Sequence, residues 1–352
     1  MNPDIGFWRD RRVLLTGHTG FKGAWAAMWL AQLGARVTGL SLAPDTEPSL
    51  WSRIGSGLID TEIIGDIRDS ATVHDAVARA RPSVVLHMAA QSLVRRSYAE
   101  PVETLAINVM GTVHLLEALR SAETLDAVLV VTTDKVYANS DQGRDFVEDD
   151  PLGGHDPYSS SKAAAEIATA SYATSFFAPH GIAVATGRAG NVIGGGDWAP
   201  DRLIPDVWRA AARGEAVSLR HPEATRPWQH VLEPLAGYFL YLEALARRPD
   251  VPKALNFGPP AGAAATVASV AEAMAQALGA STAWRRDEAP APPEMKLLSL
   301  DPSRAMKSLG WRPRLSCEEA VQWSARWYAE HGAGADPLRL CQAQLEAYES
   351  LS

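Results

Sequence analysis

The sequence predicts an α/β chain built on a doubly wound parallel sheet, with a smaller lobe toward the C-terminus. Three observations carry this. Over the first 190 residues, short β-branched apolar runs alternate with helix-length segments, as consecutive βαβ units require. A glycine-rich turn stands between the first strand and the first helix. After residue 190 the texture changes to the Gly- and Pro-rich GGGDWAPDRLIPD, and the regular alternation stops.

RVLLTG (12–17) is the first apolar run, and GFKGAWAAMWLAQLG (20–34) is a helix closed by Gly34. ARVTGLSL (35–42) and EIIG (62–65) follow as strands. SVVLHMAA (83–90) and AVLVVTT (127–133) are apolar throughout, as strands covered on both faces are. Between them ETLAINVMGTVHLLEALRSA (103–122) has helical spacing. A further helix is expected from about Ser159 to Phe177, then a strand at GIAVATGR (181–188). A helix followed by ALNFG (254–258) returns to this domain. The expected division is therefore 1–190 plus 231–257 for the first domain, and 191–230 plus 258–352 for the smaller lobe. The Ala-rich stretch 261–280, interrupted by Glu272, reads as a soluble helix, and the Ala/Pro stretch 289–293 as loop. Most of the eleven tryptophans fall in apolar helical contexts and are expected in the core.

Lysine and arginine total 33 against 41 acids, a net charge of −8. Such a chain repels a phosphate backbone, so non-specific nucleic-acid binding is not expected. Anionic ligands must be held locally, by backbone amides and a few placed cations. Two cysteines, Cys317 and Cys341, are too few for a disulfide scaffold or a Cys-rich zinc site. The nine histidines show no metalloprotease spacing, so no metal is expected. The opening MNPDIGFWRDRR lacks a signal-peptide core, no membrane association is expected, and cytoplasm is the expected compartment.

TGHTGFKG (16–23) places Gly17, Gly20 and Gly23 at the strand–helix junction. Gly17 permits the tight turn, Gly20 lets backbone amides approach a pyrophosphate, and Gly23 lets helix and strand pack closely. Phosphates then lie at the positive end of the helix. The alternative is a glycine-rich turn with no ligand. The second strand should end in an acid for the adenosine ribose, yet it ends Gly39-Leu40-Ser41-Leu42, with Asp45 the nearest acid and no arginine for a 2′-phosphate. NAD against NADP is therefore open on these residues. Asp66, in GDIRD, is a candidate adenine contact or a plain loop acid.

Tyr158 and Lys162 stand at i and i+4, on one helix face. A tyrosine with an ordinary pKa of about 10 is a poor base at neutral pH, and a neighbouring ammonium plus the positive nicotinamide ring of an oxidised cofactor would favour the phenolate. The strand ending Thr132-Thr133 precedes this pair.

TGHTGFKG, HMAAQ (87–91), Asn108, Thr133 and Tyr158/Lys162 together resemble the extended short-chain dehydrogenase/reductases. TGHTGFKGAW, TTDKVY, PYSSSK, GNVIGGGDWAPDRLIPD and RPWQHVLEPLAGY are similar, more narrowly, to the CDP-glucose 4,6-dehydratases. The resemblance implies a Rossmann-type domain holding NAD, a CDP-hexose in a smaller C-terminal substrate-binding lobe, and a homodimer or homotetramer. It implies cofactor contacts from Gly17, Thr19, Gly20, Phe21, Lys22 and Gly23, from Asp66 and Ile67, and from Ala89, Ala90 and Gln91 beside His87. Asn108, Tyr158 and Lys162 complete that set. It also implies dehydration of CDP-D-glucose to CDP-4-dehydro-6-deoxy-D-glucose, with hydride passed to NAD from C4 and returned at C6.

In that chemistry Tyr158 takes the C4 hydroxyl proton, Lys162 lowers the tyrosine pKa, and Thr133 orients O4. Asp134 is the general acid for the C6 hydroxyl, which requires a raised pKa. Lys135 stands where dTDP-glucose dehydratases carry a glutamate base, and the CDP-glucose enzymes resemble this chain in having lysine there. Gln91, Ser92 and Arg95 are expected to face the sugar. Arg202, Arg226 and Asn191 are expected at the diphosphate, with Asp197, Trp198 and His230 also contacting substrate. Competing readings are a GDP-mannose-type dehydratase or a 4-epimerase on the same scaffold, and a dinucleotide-binding protein without catalysis.

Overall fold

The computed structural model describes residues 1–141, 143–260, 262–280, 284–288, 295 and 297–351. The Ala/Pro stretch 289–293 and Ala261 lie outside the described residues. Seven strands form one parallel sheet: β1 (Arg12–Thr16), β2 (Arg36–Ser41), β3 (Thr61–Ile64), β4 (Val84–His87), β5 (Ala127–Val131), β6 (Ala183–Ala189) and β7 (Ala254–Phe257). Their order is β7-β6-β5-β4-β1-β2-β3, so the chain reverses direction across the sheet between β1 and β4. That switch point opens a crevice at the carboxyl ends of the strands, where doubly wound sheets bind ligands.

Two apolar layers explain why the strands are hydrophobic on both sides. On one face, helices Phe21–Gln32 and Leu232–Arg247 pack through Trp8, Trp25, Trp29 and Phe239. On the other, helices Ser70–Ala80 and Thr112–Leu119 cover Leu14, Val85, Val128 and Val184. β7 pairs with β6 from Ala254↔Thr186 to Phe257↔Ala189, although residues 190–253 separate the two strands in the chain. The segment between them supplies short paired strands at 192–193 with 229–230, and its strand 217–219 pairs with 284–286 from beyond β7.

The helix expected at 103–122 is observed as the run Pro101–Leu119, within which Ala106–Gly111 is a π-helical bulge. The bulge turns Asn108 inward and brings Gly111 against Ile67, where a Cβ would meet the Ile67 side chain at 2.6 Å. This run is long and apolar enough to cross a membrane, the one such helix among the described residues. It packs between the helices Ser70–Ala80 and Pro157–Tyr172. The Ala-rich stretch forms the helix Val267–Ala277, capped by Thr266, whose hydroxyl accepts from the Ser269 amide.

The C-terminus is tied back by one carboxyl. Glu233, fully buried, accepts from the Arg314 and Leu315 amides at 2.8 and 2.7 Å and from the Tyr348 hydroxyl at 2.8 Å. It thus joins the helix Leu232–Arg247, the loop after Trp311 and the last helix, Pro337–Ser350. That last helix reaches onto the helix Phe21–Gln32, where Trp29 donates to Glu349 at 2.9 Å.

Burial pushes the Glu233 carboxyl from its ordinary 4.5 up to about 7, against the pull of its backbone donors. The fold then holds a proton that the unfolded chain has released, so this contribution is intact at low pH and is lost as pH rises from 4.5 toward 7. At about 1.4 kcal/mol per pH unit, the loss is on the order of 3 kcal/mol. Glu233→Gln keeps an acceptor for both amides and removes the titration. The stability difference between variant and wild type, from urea unfolding at pH 5 and pH 8, is expected to move in the variant's favour by that order. A pH-independent difference would refute the assignment.

Candidate functional site

The glycine turn closes one end of the crevice. Gly17 has φ of +77°, and a Cβ there would strike the Ala89 amide at 2.8 Å. A Cβ on Gly23 would lie 2.0 Å from the Gly17 carbonyl oxygen, so strand and helix can only approach this closely without one. Gly20 is different. A Cβ there would meet nothing nearer than 3.5 Å, so the protein's own packing leaves open the space at the first turn of Phe21–Gln32, where a phosphate would lie. Thr19 spends its hydroxyl on Ser41 Oγ at 2.7 Å and on the Leu42 carbonyl at 2.9 Å, fastening the turn to the acid-free end of β2. Asp66 lines the same cleft with Ile67 but is gripped by Arg68 through both oxygens, at 2.6–3.1 Å.

The other wall is the helix Pro157–Tyr172. Asp156 caps it, accepting from the Ser159 amide at 2.9 Å, and Pro157 occupies the first turn. This start places Tyr158 and Lys162 on the cleft side, both buried. Lys162 Nζ donates to the Val131 carbonyl at 3.0 Å, at the end of β5. Directly beyond β5, Thr133 caps a short 3₁₀ turn, Asp134–Val136. The Thr133 hydroxyl donates to Asp134 Oδ1 at 2.9 Å and lies near enough to the Tyr158 phenol to favour its ionised form. Asp134 Oδ2 is buried without a partner among the described residues. Tyrosine, threonine and aspartate therefore form a continuous polar line.

Burial dominates the electrostatics. It pushes the Asp134 carboxyl up against the downward pull of Lys135, Thr133 and Arg226, which suits an acid that must donate. It pushes the Tyr158 phenol up to about 12, and Thr133 and Arg202 only partly offset this. The expected lowering, which counted on the ammonium together with an oxidised nicotinamide, is not supplied by the chain alone, where desolvation outweighs every nearby cation. Lys162 is pulled down to about 8 and Lys22 to about 7, again chiefly by burial.

The crevice brings most of the expected residues together. Gly17, Thr19, Gly20, Phe21, Lys22, Gly23, Asp66, Ile67, Ala89, Ala90, Gln91, Thr133, Asp134, Tyr158 and Lys162 line it. Lys135, Asn191, Asp197 and Arg202 line both this cleft and an adjoining cavity. Arg95 and Arg226 line that second cavity, and Trp198 faces the first while packing on Trp208 and Tyr328.

Three expectations are corrected. Asn108 does not reach the cleft: from the π-bulge it bonds the Gln91 amide (2.9 Å), the Gln91 carbonyl (3.0 Å) and Ser161 Oγ (2.9 Å), clamping the loop after β4 to the helix of Tyr158. His230 is fully buried between Trp25 and Trp323, away from both cavities, and burial lowers its pKa to about 3. His87 is held between the Thr16 and Thr112 hydroxyls at 2.7 and 3.0 Å and does not line the cleft. Gln91 does line it, but its amide is turned inward to Leu93 and Thr104.

Other functional neighbours were not anticipated. Glu166, four residues after Lys162, receives Thr132 Oγ1 (2.5 Å), Thr186 Oγ1 (2.7 Å) and Arg188 (2.8 and 3.0 Å), all buried. The Tyr158–Lys162–Glu166 spacing was the available signal. The Val131 carbonyl that holds Lys162 carries no side-chain signal at all.

A family model described as GDP-mannose 4,6 dehydratase matches residues 14–323. The chain is 42% identical to the CDP-glucose 4,6-dehydratase of Salmonella typhimurium, over 99% of this chain and 98% of that protein. It is 28% identical to a dTDP-glucose 4,6-dehydratase of Streptomyces niveus, over 93% and 96%. Among solved structures, MoeE5 in complex with UDP-glucuronic acid and NAD superposes with a TM-score of 0.76 and 28% identity, covering 91% of this chain and 99% of that one. The UDP-glucose 4-epimerase of Thermus thermophilus in complex with NAD gives 0.76 and 25%, covering 92% and 99%. By the length of that match and the full-length likeness to a curated dehydratase, the chain belongs to the GDP-mannose 4,6 dehydratase family.

Proposed function

We propose that this chain dehydrates CDP-D-glucose to CDP-4-dehydro-6-deoxy-D-glucose by internal hydride transfer through bound NAD. The observation that carries the reading is the buried line from Tyr158 through Thr133 to Asp134, with a carboxyl oxygen at its end that has no partner among the described residues. A 4-epimerase has no use for a dry, proton-bearing acid beside its tyrosine. The likeness to the Salmonella typhimurium enzyme supports the CDP-glucose substrate. The open phosphate position at Gly20 accommodates the pyrophosphate of NAD, and the arginine-free end of β2 offers no partner for the 2′-phosphate of NADP.

The sugar's C5 hydrogen is not acidic until C4 is a ketone. NAD, when bound, accepts hydride from C4, returns it at C6 and adds the positive charge that the Tyr158 phenol lacks. Tyr158 takes the O4 proton, and Thr133 orients O4 by hydrogen bonding. Lys162, held by the Val131 carbonyl, stands on the same helix face as Tyr158 and holds the nicotinamide ribose. Asp134 delivers its proton to the departing C6 hydroxyl. Lys135, at the junction of the two cavities, takes the C5 proton as a neutral amine. Arg202, Arg226 and Asn191 hold the diphosphate in the second cavity.

Residues 1–190 with 231–257 form the cofactor domain in this reading. Residues 191–230 with 258–352 form the substrate lobe, whose last helix reaches back across the first. The assembly is a homodimer or homotetramer. Val102 (80% exposed), Leu105, Met110, Ile167 (62%) and Phe176 leave an apolar face on the helical runs 101–119 and 157–177, more than isolated exposed residues would.

C4-deuterated CDP-glucose is expected to give C6-deuterated product with loss of one water, read by mass spectrometry. Epimerisation without mass loss would overturn the reading. Asp134→Asn is expected to bind CDP-glucose normally and lose dehydration by about 10²–10⁴-fold. Unchanged turnover would remove Asp134 from the chemistry. Ile167→Glu is expected to shift the assembly toward monomer in sedimentation velocity, whereas an unchanged sedimentation coefficient would move the interface elsewhere.

A further inference from the structure

The two adjoining cavities give the substrate a direction. In the reading above, on which this inference rests, C4 of the hexose lies by Tyr158 and the diphosphate lies at Asn191 and Arg226. The base must then occupy the far end of the second cavity. Among the residues it does not share with the first cleft, that cavity is lined by Pro205, Val217 and Leu219 and by two carboxylates, Asp201 and Asp206.

The two are not equivalent. Asp201 is paired with Arg95 at 2.7 Å and faces Arg220 at 3.6 Å. Asp206 lies in the first turn of the helix Leu203–Ala212, where only its Oδ1 is taken, by the Arg209 guanidinium one turn later. Its other oxygen accepts no hydrogen bond among the described residues. Arg209 is itself anchored, donating to the Trp198 and Ala199 carbonyls at 3.2 Å each. The carboxylate is therefore half-buried, fixed in place in the wall of that cavity and left with one open acceptor among the described residues.

Pyrimidines differ at that edge. Cytosine presents a 4-amino donor where thymine presents an O4 acceptor, and uracil matches thymine there. A fixed carboxylate attracts the first and repels the second. We infer that Asp206, clamped by Arg209, selects a cytosine base by accepting a hydrogen bond from its exocyclic amine. One well-placed contact of this kind discriminates by roughly 10–100-fold.

The test compares wild type with Asp206→Asn, whose amide keeps the size and can instead donate to O4. CDP and UDP binding by calorimetry is paired with kcat/KM for CDP-glucose and UDP-glucose. In wild type, CDP is expected to bind more tightly than UDP. In the variant that preference is expected to fall roughly 10–100-fold, with kcat at saturating CDP-glucose within a few-fold of wild type. A thermal melt within a few degrees of wild type shows that the variant is folded, and Asp206→Leu, which loses CDP affinity without gaining UDP affinity, is the second arm. If wild type turns over CDP-glucose but the variants keep its CDP preference, or lose both nucleotides in parallel, the inference is overturned and the dehydration reading stands. If wild type prefers CDP in binding but dehydrates no CDP-hexose, the dehydration reading falls instead.

Discussion

The site depends on keeping one polar line dry. Tyr158, Thr133 and Asp134 are each less than a tenth exposed. Desolvation penalises whichever form is charged, so it acts in opposite senses on the two ends of the line. At Asp134 it keeps a proton on a group that must donate one. At Tyr158 it keeps a proton on a group that must release it. The same burial that prepares the acid disables the base. Only the base therefore needs a positive charge from outside the chain, which is what an oxidised nicotinamide brings.

Holding that line requires a rigid backing, and the chain supplies it with a second buried layer. Glu166 and Arg188 form a salt bridge at 2.8 Å, each side chain 4% exposed. Around it, Glu166 collects the hydroxyls of Thr132 and Thr186, while Arg188 donates to Tyr137 Oη at 2.8 Å and the Glu148 carbonyl at 3.0 Å. Tyr137 in turn donates to Asn256 at 2.6 Å. β5, β6, β7 and the helix of Lys162 thus meet at one charge pair. Such a pair is weak evidence of net stability, but removing one partner strands the other at a cost of about 3–5 kcal/mol. Its value here is geometric, because it fixes Thr132 next to Thr133 and Glu166 one turn from Lys162.

The sheet and the glycine turn were legible because both are repetitive. Apolar strands alternate with helices, and Gly17 and Gly23 stand where backbone sterics leave no choice. The catalytic line was legible through resemblance rather than spacing, since nothing in the period of the sequence brings residue 133 to residue 158. What stayed hidden was which polar residues turn away from the crevice. Asn108 and His230 sit in motifs that line the cleft, but a π-bulge turns one into a clamp and a tryptophan cage encloses the other. The phenol's upward shift was hidden too, because burial is a property of the whole packed domain and a neighbouring lysine in the sequence says nothing about it. The hold of the Val131 carbonyl on Lys162 could not be read from side chains at all.

The chain's net charge of −8 poses a last question, since its proposed substrate is itself a dianion. Screening limits surface charges to about 8 Å at physiological salt, so the outer acids have little reach into the crevice. Many of them are neutralised in place, as in Arg95–Asp201, Arg144–Asp150 and Arg304–Asp149. Inside, Lys22, Lys162, Arg202 and Arg226 give the two cavities the opposite sign. One of these cations, Arg226, also pulls the Asp134 pKa downward against burial, as Lys135 does in its charged form. In the proposed complex the diphosphate lies against Arg226 and cancels part of that pull. Substrate binding then leaves desolvation with less opposition, and the Asp134 carboxyl holds its proton more firmly when a C6 hydroxyl is present to receive it. The acid is thus armed by the ligand whose charge the cations were placed to bind.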